Sequence, residues 1–256
     1  MTVSATTPLV AVAHGSRDPR SARMVAAAVT AVRRRRPDLD VRLCFLDLNA
    51  PSVEQVLHGI ASEGHTSAVV VPLLLGNAFH ARVDLPAMLG RVQVRQPGFT
   101  VVQSPVLGHD ERLVEAVRDR IVETGFNEGD PTVGVAFAAV GSSDERANDR
   151  TQHLGATLGH GTNWVGVHTC FATATEPTVS EAIARLRGAG AERIVVAPWF
   201  LAPGLLTDRL GRAACDTAPD AVFAPPIGAH DNLVDVVLDR YAESLADIDQ
   251  PLIRSA

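Results

Sequence analysis

The chain has 256 residues, of which 46% are hydrophobic and 20% charged, and its formal net charge is −6. That length fits two domains of ordinary size, the balance is that of a folded globular protein, and the negative charge removes nucleic acid from the expected partners. All 23 basic residues are arginine, so a lysine Schiff base, a lysine general base and a P-loop driven by ATP are excluded together.

The first residues, MTVSATTPLVAVAHGS, lack a basic leader region, and no apolar run approaches the length needed to span a bilayer. The expectation is a cytoplasmic protein with no membrane partner. Three widely spaced cysteines, Cys44, Cys170 and Cys215, form no CxxC pair and no zinc or iron–sulfur spacing.

Short, nearly all-apolar runs follow at Leu9–Val12, Val41–Leu46, Ala68–Leu75 and Thr100–Val102. Runs of this kind suit parallel strands covered on both faces. Amphipathic stretches separate them at Ser21–Arg35, Val53–Glu63, Leu85–Val94 and Glu111–Glu123. The alternation predicts a doubly wound α/β unit of flavodoxin-like order, with the arginines at 33–36 closing its first helix. Residues Gly125–Pro131 (GFNEGDP) read as a linker. The same order then recurs, with strands at Val133–Ala139, Val165–Phe171, Arg193–Phe200 and Ala221–Phe223.

The recurrence is exact in number. Ser16 and Ser142, Phe45 and Phe171, Pro51 and Pro177, Val53 and Val179, and Pro72 and Pro198 are each separated by 126 positions. SPVLGHDERL and PPIGAHDNL align at a slightly shorter offset, placing His109 opposite His230. The chain is therefore read as an internal duplication: an active repeat over residues 1–126 and a degenerate one over 127–256.

What the repeats share serves the scaffold, so their differences carry the information. Read at the same offset, His14 stands where the second repeat has Val140, Asp47 where it has Thr173, and His80 where it has Leu206. With strand 1 lying between strands 2 and 3, and ligands bound at the carboxyl ends, all three polar groups face one crevice. Two imidazoles and a carboxylate suit a first-row divalent metal, and the imidazoles suit proton acceptance equally. Asp47 also reads as a cap of the turn or helix that follows it. Gly15-Ser16, repeated as Gly141-Ser142, reads as a strand-to-helix turn whose amides could hold a carboxylate. Arg17 and Arg82 flank the histidines as candidate carboxylate partners. His109 and His230, present in both repeats, are assigned to the scaffold.

The segments AHGSRDPRSA, FLDLNAPSV and VVPLLLGNAFHARVDLP resemble the three signature segments of the sirohydrochlorin chelatase family, the small class II chelatases, in their long two-domain form. The resemblance implies insertion of Fe2+ or Co2+ into sirohydrochlorin without ATP, toward siroheme or cobalamin, with the metal as substrate and no further cofactor. It maps metal binding and pyrrole deprotonation onto His14 and His80. The family often carries Glu where this chain has Asp47, and the shorter side chain reaches less far. Ser16, Arg17 and Arg82 become candidate contacts to the carboxylates of the macrocycle. Arg209 and Arg212 would add charge from a second repeat forming the opposite wall. A single chain containing both repeats is expected to be a monomer. The competing readings are a non-catalytic metal or tetrapyrrole carrier using the same histidines, and a nucleotide- or flavin-binding domain of the same fold. The second is disfavoured because no GxGxxG follows the first strand.

Overall fold

The computed structural model describes residues 6–76, 83–108, 110–173 and 176–249. Eight strands and eight helices alternate along them. The first repeat runs β1 (Leu9–Ala13), α1 (Pro19–Arg35), β2 (Val41–Phe45), α2 (Val53–Ser62), β3 (Ser67–Pro72), α3 (Leu85–Arg95), β4 (Thr100–Gln103) and α4 (Glu111–Val122). The second runs β5 (Val133–Ala139), α5 (Glu145–Gly159), β6 (Gly166–Phe171), α6 (Val179–Gly188), β7 (Arg193–Pro198), α7 (Leu205–Thr217), β8 (Val222–Phe223) and α8 (Asp231–Asp249).

Two four-stranded parallel sheets form, ordered β2-β1-β3-β4 and β6-β5-β7-β8. This is the expected flavodoxin-like order, and the six strand pairs among the described residues are all parallel. Strand β1 is buried along its whole length, as is β5. A central strand covered by helices on both faces has no solvent side, so it gains nothing from alternating polar residues. The core of the first repeat gathers Val10, Val12, Cys44, Leu57, Ile60 and Val70; that of the second gathers Ala136, Ala138, Cys170, Ile183, Leu186 and Val196. Burial pushes both Cys44 and Cys170 up to about 12, which leaves them inert packing groups.

Helix starts follow local chemistry. Asp18 caps α1 by accepting from the Arg20 amide, with Pro19 at the first helical position, where its missing N–H costs nothing. Ser52 with Gln55, and Thr178 with Glu181, build capping boxes on α2 and α6 at corresponding positions. The prolines that precede these helices, Pro51 and Pro177, both follow cis peptide bonds. Among the described residues, no helix is long and apolar enough to cross a membrane.

The chain divides into compact units at places other than the repeat boundary. One unit holds residues 1–108 and 234–256; the other holds 109–233. Helix α4, the last of the first repeat, belongs to the second unit. There Arg118 donates to the carbonyls of Leu158 and His160, and Arg120 to that of Ile227. Helix α8 belongs, from Val234 onward, to the first unit. Tyr241 donates to the Thr7 carbonyl at 2.6 Å, and Asp235 pairs with Arg35. Residues 125–131, expected as a linker, are bound within the second unit: Trp164 donates its indole N–H to the Asn127 carbonyl, and Arg193 pairs with Asp130. An amphipathic pattern states which face of a helix is buried, not which sheet will bury it.

Candidate active site

The site is built on the carboxyl edge of the first sheet. Ala13 pairs with Phe45 and Val12 with Pro72, so the segments leaving β1, β2 and β3 emerge side by side. His14 is the first residue beyond β1 and is exposed. Asp47, exposed as well, lies two residues beyond β2, and its amide donates to the His14 carbonyl at 3.1 Å. The structure thus joins His14 and Asp47 directly. His80 and Arg82 lie outside the described residues.

The two loops are locked by contacts that tolerate little change. Gly15 has a φ of +96°, and a Cβ there would overlap the carbonyl oxygen of Asp47. Only glycine satisfies both the left-handed backbone and the close approach. The Ser16 amide donates to Asn49 Oδ1 at 2.7 Å, and Ser16 Oγ accepts from the Asp18 amide at 3.0 Å. The Ser16 N–H is therefore engaged by the protein, where the sequence suggested a donor for a ligand carboxylate. Asn49 is a residue that sequence reasoning missed. Its only signal was an amide side chain in a turn, and such residues commonly bond nearby backbone.

Asp47 has a similar local duty. Its Oδ1 accepts from the Leu48 amide at 2.7 Å, and its carbonyl accepts from the Asn49 amide at 2.7 Å. This is the capping alternative for Asp47 realised in part. Leu48 itself sits at a φ of +62°, the single non-glycine residue with positive φ among those described, and is 50% exposed. For a branched side chain this conformation costs about 1–2 kcal/mol, and it persists where neighbours over-determine it. Arg17, expected at the ligand, is exposed on the turn before α1. Arg20 pairs with Asp18 and holds its carboxyl below the usual carboxylate range, which ties the cap of α1 to its first turn.

The second repeat rebuilds this backbone without the chemistry. The Thr173 amide donates to the Val140 carbonyl at 3.1 Å, as Asp47 does to His14. Gly141 has a φ of +87°, and Ser142 Oγ accepts from the Asp144 amide. The Ser142 amide, however, is held by Asn148 of α5 at 2.8 Å, and not by a residue of the loop after β6. Val140 stands exposed where His14 would be.

The third connection differs in length. Residues 73–84 join β3 to α3, whereas residues 199–204 join β7 to α7, twelve against six. Leu206, aligned with His80 at the offset of 126, is the second residue of α7. It is therefore no loop counterpart: the second repeat has lost the segment that carries His80 as well as the histidine. At the ends of α3 and α7 and at the starts of β4 and β8 the offset is 122, since Arg95 corresponds to Thr217 and Thr100 to Val222.

Two other features compete for attention and fall away. Asp40, Glu63 and His65 gather potential ligand atoms within 4.8 Å of one another. They precede β2 and β3, at the edge of the sheet opposite His14. Arg42 already bonds Asp40 and Glu63, and this ion pair holds Glu63 below its usual range. A resident guanidinium fills the role a cation would take. In the second unit, a cavity of about 520 Å³ is lined by Pro203, Thr207, Arg212, Phe223, Pro225 and Pro226. Arg212 therefore borders a concave surface, and Arg209 is exposed on the same helix. His230, expected in the scaffold, accepts from the Asn232 amide and pairs with Asp119 at 3.2 Å. His109 lies outside the described residues.

Paired parallel α/β units with an exposed histidine on a locked loop at the strand ends define a protein of the chelatase type, an α/β scaffold that offers ligands at its carboxyl edge. A sequence model of the CbiX family matches residues 8–124 and again 134–244, and the chain belongs to that family. It is similar to a sirohydrochlorin ferrochelatase of Priestia megaterium, 29% identical over 88% of this chain and 86% of the relative. It also resembles a sirohydrochlorin cobaltochelatase of the same organism, 30% identical over 78% of this chain and 65% of the relative. Among solved structures, SirB from Bacillus subtilis with Fe3+ superposes with a TM-score of 0.82 at 26% identity, covering 94% of this chain and 96% of that one.

Proposed function

We propose that the chain is a sirohydrochlorin metal chelatase, which inserts Fe2+ or Co2+ into the macrocycle without ATP, in siroheme or cobalamin formation. The observation that carries this reading is His14: an exposed imidazole on a loop that Gly15, Asp47 and Asn49 hold in place. The family match over both repeats supports it.

Insertion exchanges one divalent cation for two pyrrole N–H protons, with no change in oxidation state. The protein must draw water from the cation, present it at the centre of the macrocycle and accept the released protons. His14 and His80 serve as transient ligands and as bases, a dual use that imidazole supports near neutral pH. Asp47 holds the loop and lends its carboxylate to the developing positive charge. Ser16 shapes the turn, while Arg17 and Arg82 meet carboxylates at the rim of the macrocycle. The metal is substrate and no other cofactor takes part. The working form is a cytoplasmic monomer.

The test is anaerobic absorbance spectroscopy of sirohydrochlorin with the purified chain, supplying Fe2+ and Co2+ separately. Turnover above the spontaneous rate with at least one metal is expected, and the ratio of the two rates states which metal the site inserts faster. Stable binding of metal or macrocycle with no rate above background would instead make the chain a carrier.

A further inference from the structure

The turn that follows β2 presents an apolar side chain at considerable conformational cost. Leu48 adopts a left-handed φ of +62° that glycine or asparagine would take freely, and it remains 50% exposed. It is therefore not a core residue, and the fold gains little from a leucine here. Its amide is fixed by Asp47 Oδ1, and the residues on either side are tied to the segment that follows β1: Asp47 through the His14 carbonyl, Asn49 through the Ser16 amide. The result is an aliphatic group on a rigid mount, one residue from the amide that bonds His14. At the repeat offset of 126, the corresponding residue of the half without the histidine is Ala174. The leucine and the histidine are lost together.

From this we infer that Leu48 is a substrate contact, an apolar platform on which one face of the tetrapyrrole rests while its centre is held over His14. A tetrapyrrole has charged edges and a broad apolar face. Arginines recognise the edges, but a face must be met by a side chain that sheds water without asking for a hydrogen bond. Asp47, by capping the Leu48 amide, is then a positioning residue for this contact. The inference rests on the chelatase reading for the identity of the ligand.

The experiment compares wild type with Leu48→Ala, Leu48→Asn and Leu48→Met, using metal-free sirohydrochlorin titrated by absorbance, and then steady-state insertion of Co2+. Asparagine suits the left-handed backbone, so Leu48→Asn is expected to melt no lower than wild type while losing the apolar contact. The Ala and Asn variants should raise both Kd and KM for the macrocycle about tenfold, with kcat changed less than about threefold, and methionine should restore most of the loss. Co2+ affinity in the absence of tetrapyrrole should not move. Unchanged Kd and KM in the Ala and Asn variants of an active enzyme would overturn the role of Leu48 and leave the chelatase reading standing. A wild type that binds the macrocycle without turning over would end the chelatase reading, and the Kd series would still judge Leu48. A wild type that binds no tetrapyrrole would overturn both.

Discussion

The two repeats keep the same backbone turn and put different side chains on it. Helices α2 and α6, and strands β3 and β7, correspond residue for residue at an offset of 126. The amide beyond the second strand bonds the carbonyl beyond the first in both, Asp47 to His14 and Thr173 to Val140. The Phe45 amide bonds the Pro51 carbonyl as the Phe171 amide bonds that of Pro177. What differs is an imidazole against an isopropyl group, an anchoring asparagine in the loop against one in the helix, and a third connection of twelve residues against six. A parallel sheet dictates where loops emerge; side chains and loop length decide whether anything can bind there.

The comparison can be broken most severely at Gly15. A Cβ at that position overlaps the Asp47 carbonyl, while one at Gly64, with nearly the same φ, meets nothing within 4 Å. Gly15→Ala should therefore cost about 3 kcal/mol, combining backbone strain with a forced shift of the loop, against about 1 kcal/mol for Gly64→Ala. Equal losses in urea melts would mean that the two loops are not locked as described.

The two asparagines sharpen the contrast. Asn49→Ala and Asn148→Ala each remove the side-chain oxygen that holds a serine amide, and each should cost about 1–2 kcal/mol. Only Asn49→Ala should also slow metal insertion, by about tenfold, because only its loop carries the site. A matching loss of rate in Asn148→Ala would give the second repeat a part in the chemistry.

Much of this arrangement was legible in the sequence. All-apolar runs marked the strands to within two or three residues, because strands buried on both faces leave a continuous hydrophobic trace. The sheet order and the adjacency of His14 and Asp47 followed from that alternation and from the flavodoxin-like order taken for it, with strand 1 between strands 2 and 3. Three features did not. The docking of α4 and α8 depends on tertiary choice between two similar sheets. Pairing His80 with Leu206 assumed a constant offset through a connection that had changed length. The turn role of Gly15-Ser16 was legible from its recurrence, but the Ser16 amide stayed open to a ligand carboxylate because no periodicity announces that Asn49 reaches it.

A smaller effect comes from the surface carboxylates of both repeats. Hydrogen bonds from Arg36 hold Asp38 at about 2, and Arg20, Arg42 and Arg187 lower Asp18, Glu63 and Asp220. Hydrogen bonds from Thr132 and Thr178 lower Asp130 and Glu181. A carboxylate depressed in the folded state contributes its stabilisation above its unfolded value, near 4, and loses it as pH falls through the folded value. Tm should thus change little between about pH 7 and pH 5 and fall below about pH 4, in parallel for variants of either repeat. A Tm that rose on acidification would contradict these pairings.

The most direct measurement is the rate of Co2+ or Fe2+ insertion in His14→Ala beside Val140→Ala, two truncations at corresponding positions of the duplicated turn. Removal of the imidazole should lower the rate at least about a hundredfold, the scale of a lost base and ligand, while Val140→Ala should insert metal as wild type does. A His14→Ala variant that keeps its rate, or a Val140→Ala variant that loses it, would contradict the assignment of chemistry to the first repeat.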